Sequence, residues 1–346
     1  MDVMKNITKI QIGNDPWSKL FIETIKELPR YKTCLEWINN INIPIEETTY
    51  YNHYLNILNN QKTIWNGTIK TKEQLIRQTY NFKDMFLKAP NWHHSSKDII
   101  EDNEYFYGDL PCKIKSNGDI ELYDGYHRTC ICLAKNLPFY LNICYREPEW
   151  EYLKQELELL YPNKNLYQRI NHPDFKNWNC SHDLVQENII KDIVKSHNIK
   201  SVIDCGVCHG DTLYQIRDLI DWGIGIEYHP IRFQITKKLF DKIRLLAVQD
   251  DIVSFINRQT TTANSIFCLN VLHHVMRDNS IEDFTALLKK IKTLCSCFIY
   301  SLPTEDESQF KWMYSNIDAH KYIFDTIGFE NKKVFKMQKR DLILLY

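Results

Sequence analysis

An α/β fold is predicted, with a parallel sheet in the second half of the chain and a smaller α+β region before it. Three observations predict it. From about Ser201 onward, short apolar runs alternate with helical patterns, as in a parallel sheet covered by helices on both faces. One of those runs, Val202-Ile203-Asp204, passes through Cys205-Gly206-Val207-Cys208-His209-Gly210 into a helical pattern. In the first half, helical patterns come first and strand-like runs follow, so the two halves have different architectures. A chain of 346 residues is long for one core and suits two domains.

The elements follow in order. Helical patterns cover Trp17 to Leu28 and Thr71 to Leu87, and strand-like runs cover Leu110 to Ile114, Ile120 to Tyr123 and Phe139 to Tyr145. A helix from about His127 to Asn136 lies between the last two runs. Residues 1–146 form this first region. Residues 147–180 form a connector in which Glu149 to Leu160 is helical, Pro162 ends the helix, and an aromatic-rich stretch from Tyr167 to Trp178 packs down. Residues 181–346 form the third region, with Ser181 expected as the N-cap of a helix running to Ser196. Strands are then expected at Ser201 to Asp204, Gly223 to Glu227, Leu245 to Gln249, Ser265 to Leu269 and Cys297 to Ser301, with two more in Gly328 to Lys336 and Asp341 to Tyr346. The helices Asp211 to Leu219 and Ile281 to Thr293 fall between them.

Bulk properties narrow the partners. Hydrophobic residues make up 44% and charged residues 25%, an ordinary globular composition. A formal net charge of -1 disfavours a general nucleic-acid binder. Eleven cysteines without an even framework read as reduced thiols, which places the chain in a reducing, cytoplasmic compartment. No apolar run reaches the ~20 residues of a membrane span, and no signal peptide is read at Met1 to Asn6.

The turn after Asp204 carries the chemistry. Gly206 and Gly210 let the backbone bend tightly and approach a ligand, and Glu227 ends the next strand. An acid there accepts both hydroxyls of a ribose diol, so the pair describes a nucleoside crevice. The spacing is Asp-x-Gly-x-x-x-Gly and not the denser Gly-x-Gly-x-x-Gly that wraps a pyrophosphate. Asp250-Asp251 follows the third strand, and Asn270-Val271-Leu272-His273-His274 follows the fourth. In this order these features resemble class I S-adenosylmethionine-dependent methyltransferases, over about half of the chain. The resemblance implies a Rossmann-like seven-stranded sheet closed by a pair of strands, one of them inserted antiparallel. It implies S-adenosyl-L-methionine as cofactor. Asp204, Gly206 and Gly210 would hold its methionine part, Glu227 would take the ribose, either Asp251 or Asp250 would reach the adenine amine, and Asn270 would be a further cofactor contact. Cys205 and Cys208 form a Cys-x-x-Cys inside the turn, but no second pair at metal spacing accompanies them, so no metal is expected.

Methyl transfer to a hydroxyl calls for a base, and His273 and His274 stand at the carboxyl edge of the sheet where substrates bind. The expected acceptor is a small molecule or a glycan, methylated at oxygen. The signatures of nucleic-acid base methyltransferases are missing from the chain, which agrees with its charge.

The first region has its own motif. The strand Ile120 to Tyr123 ends in Asp124-Gly125-Tyr126-His127-Arg128, and a helix follows. Free amides at the helix start, a positive dipole end and the Arg128 fork suit phosphate oxygens. The turn resembles that of the ParB/sulfiredoxin-like fold, which implies that Asp124, Gly125, His127 and Arg128 bind ATP or another nucleotide. Tyr126 stands where sulfiredoxins have the reactive Cys, so sulfinate reduction is not expected. Trp92-His93-His94 is a further candidate for the same site. Two alternatives stay open beside a methyltransferase with a nucleotide-binding domain. One is a bifunctional sugar or small-molecule kinase plus methyltransferase, and the other is a non-catalytic nucleotide-dependent scaffold.

Overall fold

The computed structural model describes residues 8–11, 16–65, 67–89, 110–137, 139–181, 184–241, 243–304, 307, 318–337 and 340–346. Trp92-His93-His94 lies outside the described residues. The chain divides into two compact units, Met1–Trp150 and Glu151–Tyr346.

The first unit begins with strand β1 (Thr8–Gln11) and four helices, α1 (Pro16–Lys26), α2 (Pro29–Asn39), α3 (Thr49–Gln61) and α4 (Lys72–Lys88). Apolar spacing marks α1 and α4 but not α2 and α3, whose buried faces are built from Thr33, Cys34 and Trp37 and from Tyr50, Tyr51, Tyr54 and Leu58. Their start signals are local. Pro29 opens α2, where its missing N–H costs nothing. The Thr48 side chain accepts the Tyr51 N–H at the start of α3. Thr71 and Gln74 close a reciprocal capping box on α4. Trp37 packs edge-on against Phe82, with ring centroids 5.0 Å apart, and these two belong to one aromatic-rich core with Tyr50 and Phe86.

Strands β2 (Leu110–Ile114) and β3 (Ile120–Leu122) follow, then helix α5 (Tyr126–Ala134) and strand β4 (Tyr140–Arg146). The sheet order is β1-β4-β2-β3. The two central strands β2 and β4 run parallel, and the edge strands β1 and β3 are antiparallel to their neighbours. Helix α5 leaves the tip of β3 through Gly125, which sits at φ +86°, and a Cβ there would stand 2.3 Å from Leu110 Cδ2. Glycine is therefore needed at this turn for both dihedral and space.

Helix α6 (Pro148–Leu160) crosses the division between the units. The second unit continues with the short strands β5 (Asn165–Leu166) and β6 (Asn179–Cys180), which pair with each other. Helix α7 spans Leu184–Ser196. Ser181 is not its N-cap, because it lies too far upstream and its hydroxyl donates to the Leu166 and Tyr167 carbonyls. The alternating series is β7 (Ser201–Cys205), α8 (Asp211–Ile216), β8 (Trp222–Glu227), α9 (Pro230–Phe240), β9 (Leu245–Gln249), α10 (Ile252–Arg258), β10 (Ala263–Leu269), α11 (Leu272–Asp278), α12 (Ile281–Leu294) and β11 (Cys295–Ser301). Helix α13 (Ala319–Ile327), β12 (Lys332–Phe335) and β13 (Leu342–Leu345) close it.

These strands form a seven-stranded sheet in the order β12-β13-β11-β10-β7-β8-β9. Strands β7 to β11 are mutually parallel, and β13 is inserted antiparallel between β11 and β12. The expected antiparallel closing strand is present. Every residue of β7 and of β13 is buried, as expected of strands whose two faces are both covered. The order steps from β7 to β8 on one side and to β10 on the other, so a crevice opens at the carboxyl ends of these strands.

Candidate functional site

The crevice is built by the turn that follows β7. Gly206 and Gly210 sit at φ +78° and +80°, and Cys208 also holds a positive φ of 56°. A Cβ on Gly206 would stand 2.9 Å from Val271, and one on Gly210 would stand 2.7 Å from the Phe240 ring. The turn wraps over the tip of β8: the Gly206 and Val207 amides both donate to the Ile226 carbonyl at 2.9 Å. Thr236 of α9 donates its hydroxyl to the Cys208 carbonyl at 2.8 Å, which pins the far side of the turn.

Glu227 ends β8 against this turn and is 5% exposed. Its two oxygens accept backbone amides, Oε2 from Cys208 at 3.0 Å and Oε1 from His229 at 2.9 Å. Burial pushes its carboxyl above the usual range, and those amides and Arg232 oppose the push. Each oxygen keeps a second lone pair for another donor. Asp204 lies in β7 between Gly225 of β8 and Phe267 of β10, and is buried. Of the two acids after β9, Asp250 is paired with Arg258. Asp251 caps α10 by accepting the Ser254 N–H at 3.0 Å through Oδ1, and remains exposed. Asn270 takes a positive φ of 55° after β10, donates its amide to Ser301 Oγ at 3.0 Å, and its side chain meets the Tyr167 hydroxyl.

The aromatic stretch after α6 forms a wall of the crevice. The Gln168 carbonyl meets His209 Nδ1 at 3.1 Å, which places the ring proton on Nδ1, and the Tyr161 ring lies 5.7 Å from the same imidazole. Burial holds His209 neutral, with a pKa lowered to about 3. Arg232 lies over the Tyr161 ring at 6.0 Å. Deeper in, Asp211 at the start of α8 accepts from Asn171 Nδ2 at 2.6 Å, and Arg169 bridges to Glu187 at 3.0 Å and to Asp211 at 3.9 Å. Burial raises the Asp211 pKa to about 6, the Glu187 charge adds to the rise, and Arg169 and Asn171 counter it. Residues 161–181 are therefore part of this unit's polar interior. None of Tyr161, Arg169, Asn171 or Arg232 is marked by local sequence pattern.

His273 and His274 are brought together on α11, with rings 4.0 Å apart, but they differ in access. His273 is buried and its pKa is lowered to about 3, by burial first and then by His274 and Arg340. His274 is exposed and its pKa is lowered less, by partial burial and then by Arg277. Glu307 and Arg340 form a two-bond ion pair at 2.8 and 2.6 Å whose charges are felt at His273. Cys205 and Cys208 are buried free thiols, and burial pushes the Cys208 thiol up to about 12. Among the described residues no group of three His, Cys, Asp or Glu side chains is set to hold a metal ion.

In the first unit the turn Asp124 to Arg128 is assembled differently from its linear reading. Asp124 is exposed and does not cap α5, because Gly125 is the N-cap residue and no side chain takes the cap position. Arg128 folds back over Gly125 and approaches Asp124 at 3.6 Å. His127 points inward, among Tyr50, Trp65 and Phe82. There it meets Arg30 of α2, 97 residues away in sequence, whose Nε donates to His127 Nε2 at 3.3 Å.

No family model matches the chain, and no curated protein matches it. Among solved structures, one neighbour is WbdD bound to a kinase inhibitor, at 16% identity and a TM-score of 0.47, covering 56% of this chain and 47% of that one. Another WbdD structure is described as a bifunctional kinase-methyltransferase, with a TM-score of 0.46 and 16% identity over 56% of this chain and 45% of that one. An O-methyltransferase family protein from Burkholderia thailandensis matches at 12% identity and a TM-score of 0.37, over 46% of this chain and 55% of that one. The match thus spans less than half the length of WbdD. No helix among the described residues is long and apolar enough to cross a membrane.

Proposed function

We propose that the second unit is an S-adenosylmethionine-dependent methyltransferase that acts on a hydroxyl of a small molecule or glycan. The observation that carries this reading is the buried Glu227 carboxylate at the tip of the second parallel strand, fixed by an amide of the glycine turn. The residues present suit the cofactor. Glu227 has acceptor capacity left for a ribose diol. Asp251 keeps one oxygen outside its cap for an adenine amine, whereas Asp250 is committed to Arg258. Asp204, Gly206 and Gly210 are assigned to the methionine part, with Asn270 as a further cofactor contact. When bound, S-adenosylmethionine supplies an electrophilic methyl group on a sulfonium, a good leaving group. The chain's own task is then to align the acceptor, exclude water and take a proton.

His274 is the base we assign. It is exposed at the carboxyl edge of the sheet and neutral near pH 7, whereas His273 is enclosed and too weakly basic to draw a proton from a hydroxyl. The role of His273 is to hold the His274 ring from behind. The first unit, in this reading, binds ATP or another phosphate-bearing ligand at the start of α5. The expected setting of the reaction is a reducing, cytoplasmic compartment.

The test is label transfer from methyl-labelled S-adenosylmethionine to sugars and their phosphates. His274→Ala is expected to keep cofactor affinity and to lose turnover by about 10²–10⁴-fold. Because the His274 pKa is lowered, by partial burial and then by Arg277, the wild-type rate should fall with acid only below the range of an ordinary imidazole. Full activity in both His274→Ala and His273→Ala, or label found only on amines, would remove histidine from the reaction.

A further inference from the structure

We propose that Arg30 is the anion-binding residue of the first unit, carried in an aromatic cage and aimed by His127. This rests on the phosphate-binding reading of α5 and names the group that does the binding. The Arg30 guanidinium lies 5.2 Å from the Tyr54 ring centroid, 5.7 Å from Trp65, and 5.8 Å from both Tyr50 and Tyr126. Its Nε donates to His127 Nε2, so that nitrogen presents its lone pair and the ring proton is on Nδ1. The Tyr50 hydroxyl stands 3.1 Å from the same nitrogen. Burial first and then the Arg30 charge lower the His127 pKa to about 3, so His127 brings no positive charge. It is a positioning residue, which differs from the phosphate ligand its place in the motif implies.

The charge of the site therefore comes from arginine. Among the described residues no carboxylate forms an ion pair with Arg30. A half-buried cation without an acid is costly, and the ring faces offset only part of that cost. A guanidinium has five N–H donors, and here Nε is spent on His127 and another contact goes to the Tyr54 hydroxyl. The rest of the fork is left for a bidentate oxyanion. A second feature points the same way. Tyr126, whose ring flanks Arg30, is the first residue of α5, so the open amides and positive dipole end of that helix stand beside the cage. Arg128 folds over Gly125 at the same helix end. The Arg30 cage and a helix start thus meet at Tyr126, and the chemistry that satisfies both is a phosphate group. Trp65 and Tyr126 are half-buried and leave the cage open on one side.

The experiment is calorimetric titration of the full chain with three probes: ATP, inorganic pyrophosphate and inorganic phosphate. Binding of ATP together with pyrophosphate assigns the site to the phosphate chain, and binding of phosphate alone assigns it to a single phosphoryl group. Arg30→Lys keeps the charge and the ring contacts but not the fork, and is expected to weaken binding about tenfold or more. Arg30→Ala is expected to abolish it, with S-adenosylmethionine affinity unchanged. His127→Gln retains an acceptor for Arg30 Nε and should stay within about threefold of wild type, whereas His127→Phe should behave like Arg30→Lys. If Arg30→Ala fails to fold, the Lys variant decides. Binding within twofold of wild type in Arg30→Lys and Arg30→Ala, but lost in Arg128→Ala, would overturn the role of Arg30 and leave the phosphate site standing. No binding of any probe to the wild type would overturn both.

Discussion

Asp211 sits at the first turn of α8 without exposed surface, facing Glu187 and Arg169, and its pKa is raised to about 6. An acid whose folded pKa lies above its unfolded value holds its proton more tightly when folded. Its contribution to stability is therefore greatest below the unfolded pKa near 3.9, and is lost as pH rises through the folded value. Charged Asp211 at pH 7.5 then costs on the order of 3 kcal/mol relative to its neutral form. Asp211→Asn keeps an Oδ1 acceptor for Asn171 and Gln215 and removes the charge. The variant is expected to be more stable than wild type at pH 7.5, and the advantage should shrink between pH 6 and pH 4. Denaturant unfolding of both proteins across that range checks the sign. An advantage that grows as pH falls would show that Arg169 holds Asp211 ionised. Glu227 is different, because its oxygens serve two backbone amides as well as the proposed diol. Removing it leaves buried N–H groups without partners, so a binding test there needs a check on the fold.

At the scale of elements, the glycine turn is the part with least tolerance. Gly210 combines φ +80° with the Phe240 ring 2.7 Å from where a Cβ would stand, and an aromatic ring packed under α9 has little room to move. Gly210→Ala is expected to destabilise the second unit by about 1–3 kcal/mol, and thermal unfolding reads this directly. A shift near zero would mean that Phe240 can swing away. How much of this was legible in the sequence differs by element. The strands β7 to β11 are short apolar runs bounded by turn residues, and their ends are local, so Asp204, Glu227 and Asn270 can be read off a linear string. The antiparallel β13 is legible as an apolar run but not by direction, which pairing with β11 sets. Helices α2 and α3 bury tyrosine, threonine and cysteine, so apolar period passes over them although Pro29 and Thr48 mark their starts. Contacts between distant segments leave no local trace. Arg30 meets His127 across 97 residues, and Asn171 meets Asp211 across 40. The linear motif thus presents His127 as a surface ligand, while tertiary packing turns it inward.

At the scale of the whole molecule, the two compact units present different sets of side chains. The first presents arginine, aromatic rings and a helix start. The second presents an acid, a glycine turn and a histidine pair. The connector residues Tyr161, Arg169 and Asn171 belong to the polar interior of the second unit, so a fragment beginning at residue 181 would lose partners of Asp211, Glu187 and His209. The full chain is the right object for binding work. In the proposed reading the crevice beside the glycine turn holds S-adenosylmethionine with Glu227 on its ribose. This is tested most directly by calorimetric titration of the full chain with S-adenosylmethionine and its demethylated product, in wild type and in Glu227→Gln. One site per chain is expected for both ligands in the wild type, with a loss of about 1–3 kcal/mol of binding free energy in a Glu227→Gln variant that still unfolds cooperatively. No heat of binding in the wild type, or equal affinity in a folded Glu227→Gln protein, would contradict it.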